Sequence, residues 1–306
     1  MDRTHSHPID MLLYRDEYGS PEMGAIFSEE NIIKKWLFMD AAIAEVEGEL
    51  GIIPPEAAEE IRKKATGDYV KVCRKLGLNE SDLTLLFSRR RQMQIVVNLT
   101  YVANAIDNIA MEIFNRQRPE IGELQEPFGE HQVASTASPH KRNPYGCNTL
   151  CGLAELVRGN AATILRSTWF DERDHRRMAI ESSVIPTTFI FVSGMLQKAT
   201  FIYGKLIVNP DRMLENLNLL KGLNLSETVA TALASRGLGR YTAYGLMREI
   251  AQSVMESGKE FRDLLKNHEI VRRYLSEAEI DEYLDFQSNL GILQAQIDSI
   301  LLEIGR

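Results

Sequence analysis

The residues best suited to chemistry lie in one run, Ala134-Ser135-Thr136-Ala137-Ser138-Pro139-His140-Lys141-Arg142-Asn143-Pro144. Two prolines and several small hydroxyl side chains preclude a regular helix there. The run holds two hydroxyls (Ser135 and Thr136), an imidazole (His140), two cations (Lys141 and Arg142) and an amide (Asn143). A hydroxyl becomes a useful base only where neighbouring cations and N–H donors favour its alkoxide. The same groups suit an anionic substrate whose developing negative charge has to be held. On composition alone, a plain Ser/Pro-rich connection between helices is the commoner identity for such a run.

The elements that must position this loop read as helices almost throughout. Ser28 is an N-cap signal ahead of a stripe of Ile32, Ile33, Trp36, Leu37, Met39, Ile43 and Val46, which Gly51 ends. Pro54-Pro55-Glu56 opens a shorter helix through Ala65, stopped by Gly67-Asp68. From Gln92 to Phe114, Ile95, Leu99, Val102, Ile106, Ile109 and Ile113 alternate spacings of four and three, a seam for packing against other long helices. Beyond the loop, Leu150, Leu153, Val157, Ala161, Ile164 and Leu165 mark a second long helix. A third is expected to start near Pro186, a favoured first-turn residue, and to run through Phe189, Met195, Leu196 and Ile202 to Val208.

Three such helices predict a bundle. Asn209-Pro210 interrupts the pattern, and short helices follow: one opened by Ser226-Glu227, a break at Gly237-Leu238-Gly239, and another opened by Ser276-Glu277-Ala278-Glu279. The expected fold class is all-α, a long-helix bundle flanked by smaller helical domains. Its parts are residues 1–77, the central bundle 78–208 and the C-terminal domain 209–306.

Composition narrows the function classes. The chain has 306 residues, 44% hydrophobic and 25% charged, as a globular protein with a real core does. Its net charge of −8 argues against general binding to nucleic acid or an anionic membrane. No run of about 18 uninterrupted apolar residues suggests a membrane span, and residues 1–8 lack the apolar core of a secretion signal. Cys73, Cys147 and Cys151 have no metal-ligand spacing, and a reducing cytoplasm suits them. No metal or organic cofactor is expected.

With these residues in view, the loop resembles the signature loop of the fumarase/aspartase superfamily, Gly-Ser-Ser-x-Met-Pro-x-Lys-x-Asn-Pro. The form is that of adenylosuccinate lyases and the related carboxymuconate cycloisomerases. Glu123-Leu124-Gln125-Glu126-Pro127-Phe128, Leu86-Phe87-Ser88-Arg89, Tyr18-Gly19-Ser20-Pro21-Glu22-Met23 with Trp36-Leu37, and the stretch Trp169 to Asp174 resemble further family segments in order. The last hundred residues resemble the adenylosuccinate lyase C-terminal domain. The resemblance implies elimination beside a carboxylate, often releasing fumarate, with Ser135 as general base. Lys141 and Asn143 would stabilise the aci-carboxylate. Thr136, His140, Arg142, Arg173, Tyr18 and Arg89 would contact an anionic polycarboxylate. It also implies a cytoplasmic homo-oligomer, a tetramer whose active sites combine different subunits.

The departures are equally specific. Family chains are longer, and the missing block falls near Val70 to Gly77, where two long bundle helices and the Thr-Ser-x-Asp and Thr-x-x-His stretches would stand. The histidine of the second stretch is usually assigned to the acid side, a contribution worth roughly 10²–10⁴-fold in rate. In the loop Ala134, Thr136 and Ser138 replace Gly, Ser and Met. Glu17-Tyr18 replaces an Arg-Tyr pair, with Arg15 nearby but shifted, and Met178 and Ser182 replace a serine and an arginine. These changes favour a substrate smaller than adenylosuccinate.

His131, His140 and His175 are candidates for the acid, His131 foremost, although each also reads as a solvated loop residue. His5 and His7 lie in the terminus and His268 at a polar helix end. Arg89-Arg90-Arg91 reads either as a carboxylate-binding cluster or as a solvated helix face. Three functions therefore compete: a lyase or cycloisomerase of this branch, a binding paralogue without the acid, and a structural deletion form held by oligomerisation.

Overall fold

The computed structural model describes residues 7–54, 77, 90–129, 138, 140–167 and 176–305. The chain divides into two compact units, Met1–Val208 and Asn209–Arg306. The helix expected from Pro54 to Ala65 and the boundary expected at residue 77 fall in stretches outside the described residues, Gly77 excepted. The fold is all-α. Among the described residues the strands are two short ones, β1 (Leu124–Gln125) and β2 (Ile207–Val208), paired antiparallel with Leu124 opposite Val208.

The first unit begins with two short helices, α1 (Arg15–Tyr18) and α2 (Pro21–Ile26), and then α3 (Glu29–Glu49). The Ser28 hydroxyl accepts the Asn31 N–H at 3.3 Å, the N-cap its sequence predicts. The expected apolar stripe on α3 is only partly buried. Ala42, Ala44 and Val46 are inside, whereas Ile33, Trp36 and Met39 are exposed.

The frame of this unit is a three-helix core: α4 (Arg90–Arg116), α5 (Tyr145–Ile164) and α6 (Arg176–Gly204). Ala103, Ile106, Ala110 and Ile113 of α4 meet Cys147, Leu150, Leu153, Ala154 and Val157 of α5 and Phe191, Met195, Ala199 and Ile202 of α6. A second cluster joins Val96, Ile164 and Val184. These groupings fix the register. α5 runs antiparallel to α4 and α6, with its start level with Ile113 and Ile202 and its end level with Val96 and Val184.

Two expectations need correction. Of the α4 seam, Ile106 and Ile113 are buried and Leu99 is partly so, but Ile95, Val102 and Ile109 are 43%, 38% and 49% exposed. The buried face is offset toward Val96, Thr100, Ala103 and Ala110, small residues that hydrophobicity patterns weight lightly. Pro186 lies inside α6 rather than at its start, and the helix ends at Gly204 before β2. Pro lacks the N–H that the helix would use. Around it Thr187 and Thr188 hydroxyls donate to the Ser183 and Val184 carbonyls, each at 2.7 Å. By length and composition α6 is also apolar enough to cross a membrane. Its Val184, Phe191, Met195 and Ile202 are nevertheless buried as part of the bundle core.

Short backbone approach ties α1 and α2 to α6. A Cβ on Gly194 would lie 2.7 Å from the Gly19 nitrogen, and one on Gly19 would lie 2.6 Å from the Ile190 Cγ2. The Ser20 and Ser193 hydroxyls hydrogen-bond beside this contact at 2.6 Å.

In the second unit, Asn209 caps α7 (Pro210–Asn218) and Pro210 occupies its first turn. α8 (Ser226–Leu233) and α9 (Arg240–Ser257) are divided where Gly237 and Gly239 take φ of 100° and 79°, values open to glycine. α10 (Phe261–Asn267), α11 (Glu269–Tyr274) and α12 (Glu277–Tyr283) close a core of Leu225, Val229, Leu233, Leu246, Ile250, Phe261, Leu265 and Ile280. α13 (Leu293–Ile304) follows, with no buried residue. Ser276 and Glu279 form a capping box at the start of α12. The Glu279 carboxyl is pushed down to about 2, first by the Ser276 N–H and hydroxyl and then by the Arg236 guanidinium.

Three outcomes follow. Gly194→Ala forces a Cβ against backbone and should destabilise the chain by about 1–3 kcal/mol. Gly152→Ala, in α5 with nothing within 4 Å of the added carbon, should stabilise by roughly 0.5–1 kcal/mol; denaturant melts of both variants check this. Glu279 has a folded pKa below its ordinary value of 4.5. Its contribution is therefore present above that value and lost as pH falls to about 2. Thermal midpoints recorded across that window should fall less steeply in Glu279→Gln than in the wild type.

Candidate functional site

The loop is built where three segments converge on the start of α5. Arg116, at the end of α4, bridges Glu112 and Glu123, fixing the turn into β1. Gln117 then spans two strands of chain. Its Oε1 accepts the Glu126 N–H at 2.9 Å, and its Nε2 donates to the Arg142 carbonyl at 2.9 Å. Glu126 completes the anchor. Its carboxylate accepts the N–H groups of Gly146 at 3.1 Å and Cys147 at 2.5 Å, the otherwise unsatisfied donors of the first turn of α5. Gly146 leaves room for this. A Cβ there would lie 2.6 Å from the Ile202 Cδ1 and 3.3 Å from the carboxylate oxygens.

On this anchor stand four exposed residues, His140, Lys141, Arg142 and Asn143. The Lys141 N–H donates to the Ser138 carbonyl at 3.0 Å, and the Tyr145 N–H to that of Asn143 at 2.8 Å. The Arg142 guanidinium lies over the Phe128 ring, 4.6 Å from its centroid, which holds the charge at the loop surface. An imidazole, two cations and an amide thus face solvent together beside a helix start. Ser135, Thr136 and His131 lie outside the described residues, as do Arg89, Arg173 and His175.

Tyr18 is half-buried against the bundle core and stacks on Tyr14, ring centroids 5.7 Å apart. Glu17 beside it accepts from Lys198 Nζ at 2.9 Å and from the Thr149 hydroxyl at 3.0 Å. The acidic residue that stands where the family pattern has an arginine is thus spoken for by an ion pair joining α1, α5 and α6. Arg15 is exposed and pairs with Asp16 at 3.6 Å. Met178 and Ser182 are exposed, and the Ser182 hydroxyl turns back to the Ala179 carbonyl at 3.2 Å.

The register of the bundle sets His140 to Asn143 apart from Arg90 and Arg176. His140 to Asn143 precede the start of α5. Arg90 and Arg176 stand at its other end. The 20 residues of α5 put about 30 Å between those ends.

Sequence reasoning missed Gln117 and the capping role of Glu126. Neither has a local signal, since their partners stand 25 and 20 residues away. The α5 thiols are unsuited to nucleophilic work. Burial raises Cys147, and it raises Cys151 to about 12. Among the described residues no cluster of His, Cys, Asp and Glu could hold a metal ion.

Comparison with known proteins bears on this arrangement. Residues 222–300 match the family described as the adenylosuccinate lyase C-terminus. An adenylosuccinate lyase from Aquifex aeolicus is 31% identical over 294 residues, covering 93% of this chain and 63% of that one. The chain thus spans under two thirds of that relative's length. The shortfall is largely internal. An adenylosuccinate lyase from Methanocaldococcus jannaschii, 24% identical, aligns over 444 positions that take in 96% of this chain and 95% of its own. That is far more than 306 residues can fill. The crystal structure of β-carboxy-cis,cis-muconate cycloisomerase from Acinetobacter calcoaceticus shares the fold with a TM-score of 0.83 at 16% identity, over 95% of this chain and all of that one. The ordered sequence matches, the all-α bundle and these likenesses place the chain in the fumarase/aspartase superfamily, on the branch of adenylosuccinate lyases and carboxymuconate cycloisomerases.

Proposed function

We propose that this protein is a lyase of the adenylosuccinate lyase type, acting on a small anionic polycarboxylate and releasing fumarate. The observation that carries the reading is the exposed cationic segment His140 to Asn143, anchored by Gln117 and Glu126 at the start of α5, in a chain of this superfamily. Ser135 takes the proton from the carbon beside the carboxylate, and the electron pair moves onto that carboxylate. Lys141 and Asn143 hold the resulting aci-carboxylate charge. As the charge collapses back, the bond to the β-nitrogen breaks, and the nitrogen leaves with the electron pair and takes a proton from solvent water in place of the missing histidine acid. Thr136, His140, Arg142, Arg173, Tyr18 and Arg89 contact the substrate. Glu17 is engaged by Lys198 where a phosphate-binding arginine would be needed, which favours a substrate smaller than adenylosuccinate.

The protein acts as a cytoplasmic homo-oligomer, a tetramer, with residues 1–77, 78–208 and 209–306 as its three domains. Exposed Ile95, Val102 and Ile109, at heptad spacing along α4, support association. The length of α5 supports it too, because loop and far-end arginines can meet only if a second chain brings the other end. A second reading, a binding paralogue, is favoured by the missing Thr-x-x-His stretch.

Turnover assays with adenylosuccinate, argininosuccinate, fumarate plus ammonia, and carboxymuconate separate the two. Product formation that Ser135→Ala abolishes, with an unchanged thermal midpoint, is the expected result. Turnover unchanged in Ser135→Ala would overturn the assignment of the base. Carboxylate binding by calorimetry with no product on any substrate would establish the paralogue instead.

A further inference from the structure

Beyond Leu284, the last buried residue of the second unit's core, the chain turns and continues as α13. The turn is built from specific hydrogen bonds. Asp285 accepts the Gln287 and Ser288 N–H groups at 3.3 and 3.2 Å, and the Asn289 amide donates to the Tyr283 and Asp285 carbonyls at 3.0 and 2.7 Å. Gly291 follows with φ of 55°. α13 thus leaves the core at a fixed turn, yet every residue from Leu293 to Ile304 is exposed.

Its apolar residues are ordered. Leu293, Ile297, Ile300 and Ile304 are spaced four, three and four, the seam by which one helix packs along another. Leu301 widens this face, while Asp298 and Ser299 lie on the opposite side. The five apolar side chains are between 50% and 77% exposed. At about 130 Å² for a fully exposed Leu or Ile side chain, they leave roughly 400 Å² of apolar surface on one copy. A continuous face of that size marks a surface that another element covers.

The seam is complementary to itself. Two copies set antiparallel about a two-fold axis bring Leu293 against Ile304 of the partner subunit, and Ile297 against Ile300 of the partner subunit. Gln296 and Glu303 share one flank of the seam. The same pairing therefore sets the Glu303 carboxylate beside the amide of Gln296 of the partner subunit, and no like charges meet. Two copies close about 800 Å² of apolar surface, or about 1,200 Å² in all with the polar share usual in homodimer contacts. Stable protein contacts begin near that area.

The geometry points to α13 as a docking surface for a second copy of this chain, paired antiparallel through Leu293, Ile297, Ile300 and Ile304. The contact is additional to the exposed stripe on α4 and goes beyond the lyase reading.

Cysteine cross-linking of the whole chain tests it. Leu293→Cys and Ile304→Cys chains are made separately, mixed, and treated with oxidised glutathione. The wild type carried through the same oxidation gives the background from Cys73, Cys147 and Cys151. Antiparallel pairing should give a disulfide-linked dimer in the mixture and only background in either variant alone. Adding Ile297→Glu and Ile300→Glu to both chains should lower the yield at least about tenfold, because closing the seam would bury carboxylates. These variants should still melt cooperatively, since neither side chain enters the core of the second unit. The proposal is overturned if the mixture links no more than either variant alone. It is also overturned if each variant links chiefly to itself, as parallel pairing requires, or if the Glu substitutions leave the yield unchanged. Neither turnover through Ser135 nor assembly through α4 enters the readout, so failure here leaves the lyase reading standing.

Discussion

Ala103, Ala110, Ala154 and Ala199 sit where α4, α5 and α6 come together, each presenting only a methyl group at the seam. Side chains this small let helix backbones approach closely, and the larger Leu150, Met195 and Ile113 interlock around them. A slip by one turn would set bulky residues against the alanines' neighbours and open voids elsewhere, at about 2–5 kcal/mol for each large side chain left unpacked. The antiparallel register of α5 therefore has little freedom. It decides which ends of which helices lie together, and thereby which charged residues can share a ligand within one chain.

The loop end of the bundle depends on that register at one remove. Glu126 can cap the first turn of α5 only because β1 is held beside β2 at the end of α6, while Arg116 pins the turn before it. Gln117 links the two chain segments with a single amide, donor to one and acceptor from the other. This leaves His140, Lys141, Arg142 and Asn143 with their side chains outward, their backbone groups serving the anchor. A cationic segment supported this way loses little order when an anion binds, which is what pre-organisation requires.

How much of this was legible depended on the distance over which each cause acts. Ser28 and the Ser276–Glu279 stretch announce helix starts within four residues, and the structure has them as caps, whereas Asn209-Pro210 reads as an interruption and proves to cap α7. The heptad seam on α4 was legible as a helix but not as a face. Ile95, Val102 and Ile109 and the buried set both recur at near-heptad spacing, and only the tertiary neighbours choose between them. Pro186 was misread because a proline ten residues into a helix is tolerated when other hydrogen bonds and packing support the interrupted ladder. At the site, residue types announced an irregular, cationic loop ahead of α5. The Glu126 cap and the Glu17–Lys198 pair join residues 20 and 181 apart, beyond the reach of any local pattern.

The Glu17–Lys198 pair also bears on how such a site changes its ligand. A partly buried Lys198 needs a carboxylate, and Glu17 supplies it at 2.9 Å while Thr149 adds a hydroxyl at 3.0 Å. An arginine in place of Glu17 would set two cations against each other at the same point. The two positions therefore change together or not at all, and with them the charge that this corner offers a ligand.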